Sequence, residues 1–281
     1  MPAVLTHNAY GKSQVRLTKV SRHADRHDLK ELSIAIQLEG DFVASYTSGD
    51  NSRIVATDTM KNTVYALAKK HPFSAIEELG ELLARHFLES YGHVSAVTVD
   101  LMEQPWQRMV VDGKEHPSCF IRRGDEKRTA TVMLTRKEKH VESGLDNLLI
   151  LKTTDSAFSG FIQDPYTTLR DADDRIFATV LSANWLYSAP PADWDQAHGQ
   201  IRQAMLQVFA GHKSLSVQHT LHAMGSAALD ACSAIEAITL RMPNKHHLLV
   251  NLQLFGMQNN NEIFVPTDEP YGLIVGTLRR G

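Results

Sequence analysis

The chain has 281 residues, 43% hydrophobic and 22% charged, which suffices for a buried core in one large domain or two of ordinary size. Its formal net charge is -3, so no basic excess is present to hold a nucleic-acid backbone, and no polybasic or amphipathic stretch suits a membrane surface. With only two cysteines, Cys119 and Cys232, a disulfide framework and a Cys-rich metal site are excluded; lone thiols in a reducing cytosol are a simpler reading than a bridge.

The opening Met1-Pro2-Ala3-Val4-Leu5-Thr6-His7 lacks the charged region and apolar core of a signal peptide. No apolar run approaches the roughly 18 residues of a membrane span. The closing Leu278-Arg279-Arg280-Gly281 is no recognised targeting tripeptide. The expectation is a cytoplasmic globular protein with neither nucleic acid nor membrane as a partner.

Alternation with period two comes first along the chain. Val15 and Leu17, then Leu32, Ile34, Ile36 and Leu38, predict strands with one buried face. Ser48-Gly49-Asp50-Asn51 reads as a loop. Met60, Val64, Leu67 and Ala68 then share a helical face. A second helix is predicted from Ser74, with Glu77 completing a capping box, Ile76, Leu79, Leu83 and Phe87 as its stripe, and Gly92 as its C-terminal cap. Strands follow around Val97, Val99 and Leu101 and over residues 129–135. The pattern is interrupted by charge and Gly144 over residues 139–145, where a domain boundary is placed. Residues 148–153 and 176–187 read as extended, 194–210 and 217–231 as helical. Alternation returns at Ile238, Leu240 and Met242, at Leu248, Val250, Leu252 and Leu254, and over residues 273–278. Each half thus reads strand-strand-helix-helix-strand-strand, which predicts antiparallel α+β architecture in two tandem domains, 1–140 and 141–281, with little residue identity between them.

Several motifs fail on spacing. Gly11-Lys12-Ser13 resembles the end of a phosphate-binding loop, but the glycine required five positions earlier is Thr6. No Gly-x-Gly-x-x-Gly occurs. His219 and His222 have helical i, i+3 spacing without a third ligand, and Asp171, Asp173 and Asp174 lack the glycine and distal glutamate of a calcium loop. These motifs therefore name no cofactor.

Segments spread over the chain resemble the urate oxidase family. They are Tyr10-Gly11-Lys12, Val55-Ala56-Thr57-Asp58-Thr59 with Lys61-Asn62-Thr63-Val64-Tyr65, Leu151-Lys152-Thr153-Thr154 with Phe158-x-Gly160-Phe161, and Asp164-x-Tyr166-Thr167-Thr168-Leu169. Asp174-Arg175-Ile176, Val217-Gln218, Met242-Pro243-Asn244-Lys245-His246 and Pro270-Tyr271-Gly272-Leu273-Ile274 complete the set, in family order from residue 10 to residue 274. The resemblance implies two tunnelling-fold (T-fold) domains, each an antiparallel sheet with two helices on one face. It also implies a homotetramer around a tunnel, urate and dioxygen as reactants, no cofactor, and active sites at subunit interfaces. Lys12, Thr57 and Asp58 would come from one subunit, and Phe158, Arg175, Val217, Gln218, Asn244 and His246 from its neighbour.

The residue types suit a flat, anionic heterocycle. Arg175 offers a planar fork of donors, Gln218 both donates and accepts, and Phe158 can stack on the ring face. The backbone N–H groups of Thr57, Asp58 and Val217 would take remaining edge acceptors. Lys12, Thr57 and His246 would relay a proton away from urate, and Asn244 with the Thr57 hydroxyl would hold dioxygen and then water. Taken singly, each has a plainer reading. Lys12 would be a solvated strand residue, Thr57 an N-cap, Phe158 core, Arg175 half of a surface ion pair with Asp174, Gln218 a polar helix face, Asn244 a turn residue, and His246 either core or surface. Their joint occurrence at family positions favours the site. Two other readings stay open: a zinc-using tunnelling-fold enzyme acting on a purine or pterin, and a purine-binding protein without catalysis.

Overall fold

The computed structural model describes residues 3–122 and 124–281; Met1 and Pro2, which open the N-terminal stretch read above, and Arg123 lie outside the described residues. The chain divides into two compact units, Met1–Gly144 and Leu145–Gly281. In chain order the first carries β1 (Ala9–Arg22), β2 (His27–Gly40), α1 (Val43–Thr47), α2 (Thr57–Lys70), α3 (Ile76–Ser90), β3 (Val94–Gln104), β4 (Gln107–Val111), β5 (Lys114–Ile121) and β6 (Lys127–Thr135). Strand β7 (Lys139–Lys152) runs on into the second unit, which adds β8 (Phe177–Tyr187), α4 (Trp194–Gly211), α5 (Val217–Ala231), β9 (Ile235–Lys245), β10 (His247–Leu249), β11 (Phe264–Pro266) and β12 (Gly272–Arg279). Sheet order is β1-β2-β3-β6-β7 in the first unit and β7-β8-β9-β12 in the second. The pairs β1–β2, β2–β3, β3–β6, β8–β9 and β9–β12 are antiparallel, so the architecture is the α+β one that grouped strands predict.

The alternation translates directly into burial. Leu32, Ile34, Ile36 and Leu38 are each at most 1% exposed. Against that face lie Met60 and Val64 of α2 and Ile76, Leu79, Leu83 and Phe87 of α3, all buried. Helix α3 sits so close to the sheet that a Cβ on Gly80 would come within 2.8 Å of both Leu101 and Val132; in α5, one on Gly225 would come within 2.8 Å of Leu278. Close approach is what a mid-helix glycine supplies against its propensity cost of about 1 kcal/mol.

The two units share a second device. Lys19 on β1 donates to the carbonyls of Ala68 (2.8 Å) and His71 (3.0 Å) at the end of α2. Lys152 on β7 donates to those of Phe209 (3.5 Å) and His212 (2.6 Å) at the end of α4. Each ammonium closes carbonyls that a helix end leaves without partners and lies where the helix dipole favours a cation.

Several local expectations need correction. Glu77 does not cap α3: it is fully buried, ion-paired with Arg128 at 2.9 Å and accepting from the Ser143 hydroxyl. Its neighbour Glu78 folds back instead, accepting from the N–H groups of Ser74 (2.8 Å) and Ala75 (3.3 Å). Tyr91 closes α3 in an extended conformation, so Gly92 supplies no left-handed cap. Residues 139–145 lie within the 14-residue strand β7, so the chain passes from one unit to the next, between Gly144 and Leu145, inside a strand and not in a loop. The alternation over Leu252 and Leu254 is not a strand. Asn251 accepts from the Gln253 N–H (3.1 Å), Gly256 takes the left-handed conformation, and Leu252–Phe255 winds into a 3-10 turn. Helix α1 and the hairpins β4–β5 and β10–β11 were not expected.

Candidate active site

In the first unit, β1 and the N-terminus of α2 are held together by one side chain. The Tyr10 hydroxyl donates to the Val55 carbonyl (3.2 Å) and accepts from the Val55 N–H (2.7 Å). Lys12 lies two residues beyond Tyr10, and Thr57 two beyond Val55. Gly11 between them cannot carry a side chain, since a Cβ would fall 1.8 Å from the Ile36 carbonyl oxygen. Immediately after Lys12 the pairing with β2 shifts register, from Lys12↔Ile36 to Val15↔Ile34, and Gln14 takes a positive φ of 57°. A bulge of this kind re-aims neighbouring side chains.

Thr57 opens α2 as its first helical residue, with Ala56 in the N-cap position and no side-chain cap, which corrects the reading of Thr57 as an N-cap. The first amides of an α-helix have no acceptor within it, so those of Thr57 and Asp58 are free to meet a ligand. The Asp58 carboxylate turns onto its own helix, accepting from Lys61 and from Asn62 (3.0 Å). The Lys61 ammonium chiefly, with Lys12 as a weaker contributor, holds it below the ordinary carboxylate range.

In the second unit, backbone bridges bring distant segments to one place. The Ala157 N–H donates to the Ser214 carbonyl (2.7 Å), and the Ser214 N–H to that of Asp155 (2.9 Å). This ties the segment before Phe158 to the segment before α5. Phe158 in turn exchanges both backbone bonds with Ala172, at 2.8 and 3.0 Å. The Asp174 carboxylate accepts from the Thr154 hydroxyl (2.7 Å) and the Ser156 N–H (3.2 Å), and those bonds, Thr154 first, lower its pKa. Asp174 is therefore a structural clasp and not the ion-pair partner of Arg175. The Arg175 guanidinium lies over the Phe158 ring, 5.1 Å from its centre, and burial lowers its pKa. Phe161 stacks on the same ring at 4.9 Å with an interplanar angle of 8°.

Val217 and Gln218 open α5. Ser216 is its N-cap and accepts from the His219 N–H at 3.1 Å, which leaves the Val217 and Gln218 amides unclaimed by the cap; Val217 is buried and Gln218 exposed. Asn244 sits near the end of β9, opposite Thr179 on β8 and Gly272 on β12. Thr179 is fully buried, and its hydroxyl has no hydrogen-bond partner. His246 follows β9, and its carbonyl accepts from the Thr267 N–H (2.9 Å) and hydroxyl (3.3 Å). Among the sequence-named residues the structure thus joins Lys12, Thr57 and Asp58 at one helix start. It joins Phe158 to Arg175 directly, and both to the start of α5 through the 155–158 segment. Sequence reasoning gave no role to Tyr10, Thr154 or Ser216, and cast Asp174 only as an ion-pair partner of Arg175 or a failed calcium ligand. Only Ser216 carried a local signal, as a serine one residue before a helical run.

Among the described residues, no group of three or more His, Cys, Asp or Glu side chains is placed to hold a metal ion. Nor is any helix long and apolar enough to cross a membrane. Cys119 and Cys232 are both free thiols, the first exposed and the second buried.

Comparison with known proteins sets these observations in a family. The uricase family model matches residues 8–133 and 141–275. A uricase of Arthrobacter globiformis is 42% identical over 277 residues, covering 99% of this chain and 90% of that protein. A uricase of Dictyostelium discoideum is 40% identical over 282 residues, covering 99% and 98%. The crystal structure of uricase from Arthrobacter globiformis superimposes with a TM-score of 0.94 at 41% identity, covering 100% of this chain and 96% of that one. Matches of this extent, across both units, place the chain in the uricase family.

Proposed function

We propose that the chain oxidises urate with dioxygen and water to 5-hydroxyisourate and hydrogen peroxide, with neither a metal nor an organic cofactor. The observation that carries this reading is the Arg175–Phe158 pair, held beside the uncapped amides of Val217 and Gln218. A fork of cationic donors, a flat aromatic face and a row of N–H groups are what a planar purine anion needs. Gln218 completes the clamp by donating and accepting along an adjacent edge.

Lys12, Thr57 and His246 move the proton. Removing a second proton from the urate anion raises electron density in the ring, and the ring then reduces dioxygen. Thr57 is too weak an acid or base to act alone, so its hydroxyl passes the proton to Lys12 and His246 completes the relay. Asn244 and the Thr57 hydroxyl hold dioxygen and then the water that adds to the oxidised ring. The atoms balance: urate, dioxygen and water give one hydroxylated product and one peroxide.

In this reading Lys12, Thr57 and Asp58 act with the clamp of a neighbouring subunit in a homotetramer. Large apolar side chains at the surface of the second unit support association, including Leu149 at 66% exposure, Leu151, Leu273 and Val275. The two free thiols fit a cytoplasmic setting.

The test is the loss of urate's ultraviolet absorbance in air-saturated buffer containing EDTA, with peroxide followed in parallel. Urate loss matched by peroxide is expected. Urate that binds but persists would favour a purine-binding protein without catalysis, and activity abolished by the chelator would favour a metal-dependent relative.

A further inference from the structure

We propose that Tyr10 is a positioning residue that fixes the spacing between Lys12 and the Thr57 hydroxyl, through its two hydrogen bonds with Val55; this rests on the relay proposed above. The phenol grips both polar atoms of one peptide residue, 45 positions away in sequence, at 3.2 and 2.7 Å. Its ring is wedged edge-on against the buried Phe42, 4.7 Å between centres. Lys12 cannot drift along β1, because Gly11 is pressed onto the Ile36 carbonyl and the bulge follows at once. Thr57 cannot drift either while Val55, buried and two residues ahead, is held at both its N–H and its carbonyl. Burial pushes the Tyr10 hydroxyl above its ordinary pKa, which keeps its proton available to the carbonyl. The loop entering α2 has a separate anchor, in which His93 Nε2 meets the Arg53 carbonyl at 2.7 Å. Removing one phenol oxygen therefore shifts Val55 without unfolding the loop.

The experiment is steady-state kinetics of Tyr10→Phe on the full chain. A displacement of a fraction of an ångström in a relay predicts kcat lower by about tenfold or more, with KM for urate within about twofold. The solvent deuterium isotope effect on kcat should rise, since proton transfer becomes slower, while the melting temperature stays near that of the wild type. In a Lys12→Ala background the same change should cost nothing further, because both act on one step. Tyr46→Phe, which removes a 3.3 Å bond to the Ala9 carbonyl on the same strand, should leave kcat unchanged. An unchanged kcat in Tyr10→Phe, full additivity with Lys12→Ala, or kcat and KM falling together with the melting temperature would overturn the proposal while leaving the functional reading intact. A wild-type chain that leaves urate untouched would overturn both.

Discussion

Replacing Arg175 by alanine separates binding from chemistry. The guanidinium lies over Phe158 and is drawn partly out of water, so on the proposed reading its donors would meet urate with little competing hydration. Two charge-assisted bonds to an anion, at about 1.5 kcal/mol net each, give about 3 kcal/mol. With each 1.4 kcal/mol worth tenfold, urate affinity should fall by about a hundredfold. Arg175→Lys keeps the charge and loses the fork, and should fall between. The ring pairing with Phe158, worth about 0.5–1 kcal/mol, appears in stability and not in affinity. The assay is anaerobic titration with urate, which reads binding without turnover. Lys12→Ala, measured in the same way, should lose little affinity while its turnover in air collapses. Losses of affinity that are equal in the two variants would refute this division of roles.

Other consequences are as direct. Mixing Lys12→Ala and Arg175→Ala subunits should recover about a quarter of wild-type activity if each site draws Lys12 from one chain and Arg175 from its neighbour, and none if each chain owns its site. Glu77→Gln removes the fully buried carboxylate that pairs with Arg128 and should cost about 3 kcal/mol, seen as a melting temperature lower by roughly 10 °C. Asp174 is held below its ordinary pKa, so its stabilising contribution is full above about pH 4 and disappears as pH falls through the lowered folded value. Thr154→Val removes the largest cause of that lowering. The variant should release the segment around Arg175 at a higher pH than the wild type does, measurable by limited proteolysis between about pH 3 and 5.

The order of elements was legible because burial on one face writes itself as period two or 3.6 in the sequence. Leu32, Ile34, Ile36 and Leu38 are a clear instance. What failed was chemistry shared by adjacent residues. Glu77 and Glu78 are identical side chains, and only the packing of α3 decides which faces Arg128 and which turns back to the helix start. Leu252 and Leu254 alternate like strand residues, yet Asn251 and Gly256 impose a turn. The β4–β5 hairpin did carry a signal, Asp112-Gly113, whose positive φ values suit a two-residue turn. Site residues were nameable from the family pattern and not from spacing. Phe158 and Arg175 meet because Asp174 bonds back to Thr154 and Ser156 across about twenty residues and Ala172 pairs with Phe158 through the backbone.

The lysines that close α2 and α4 bear on how the two units came to differ. Lys19 and Lys152 each donate to main-chain carbonyls, which every amino acid supplies, and Lys19 lies over the Phe73 ring as well, 4.2 Å from its centre. The hydrogen bonds of such a joint set no requirement on neighbouring side chains beyond the ammonium itself. Sequence around it is free to drift over long descent while the strand and helix stay locked in place. Two units built on one element order can then keep a common frame with little shared identity.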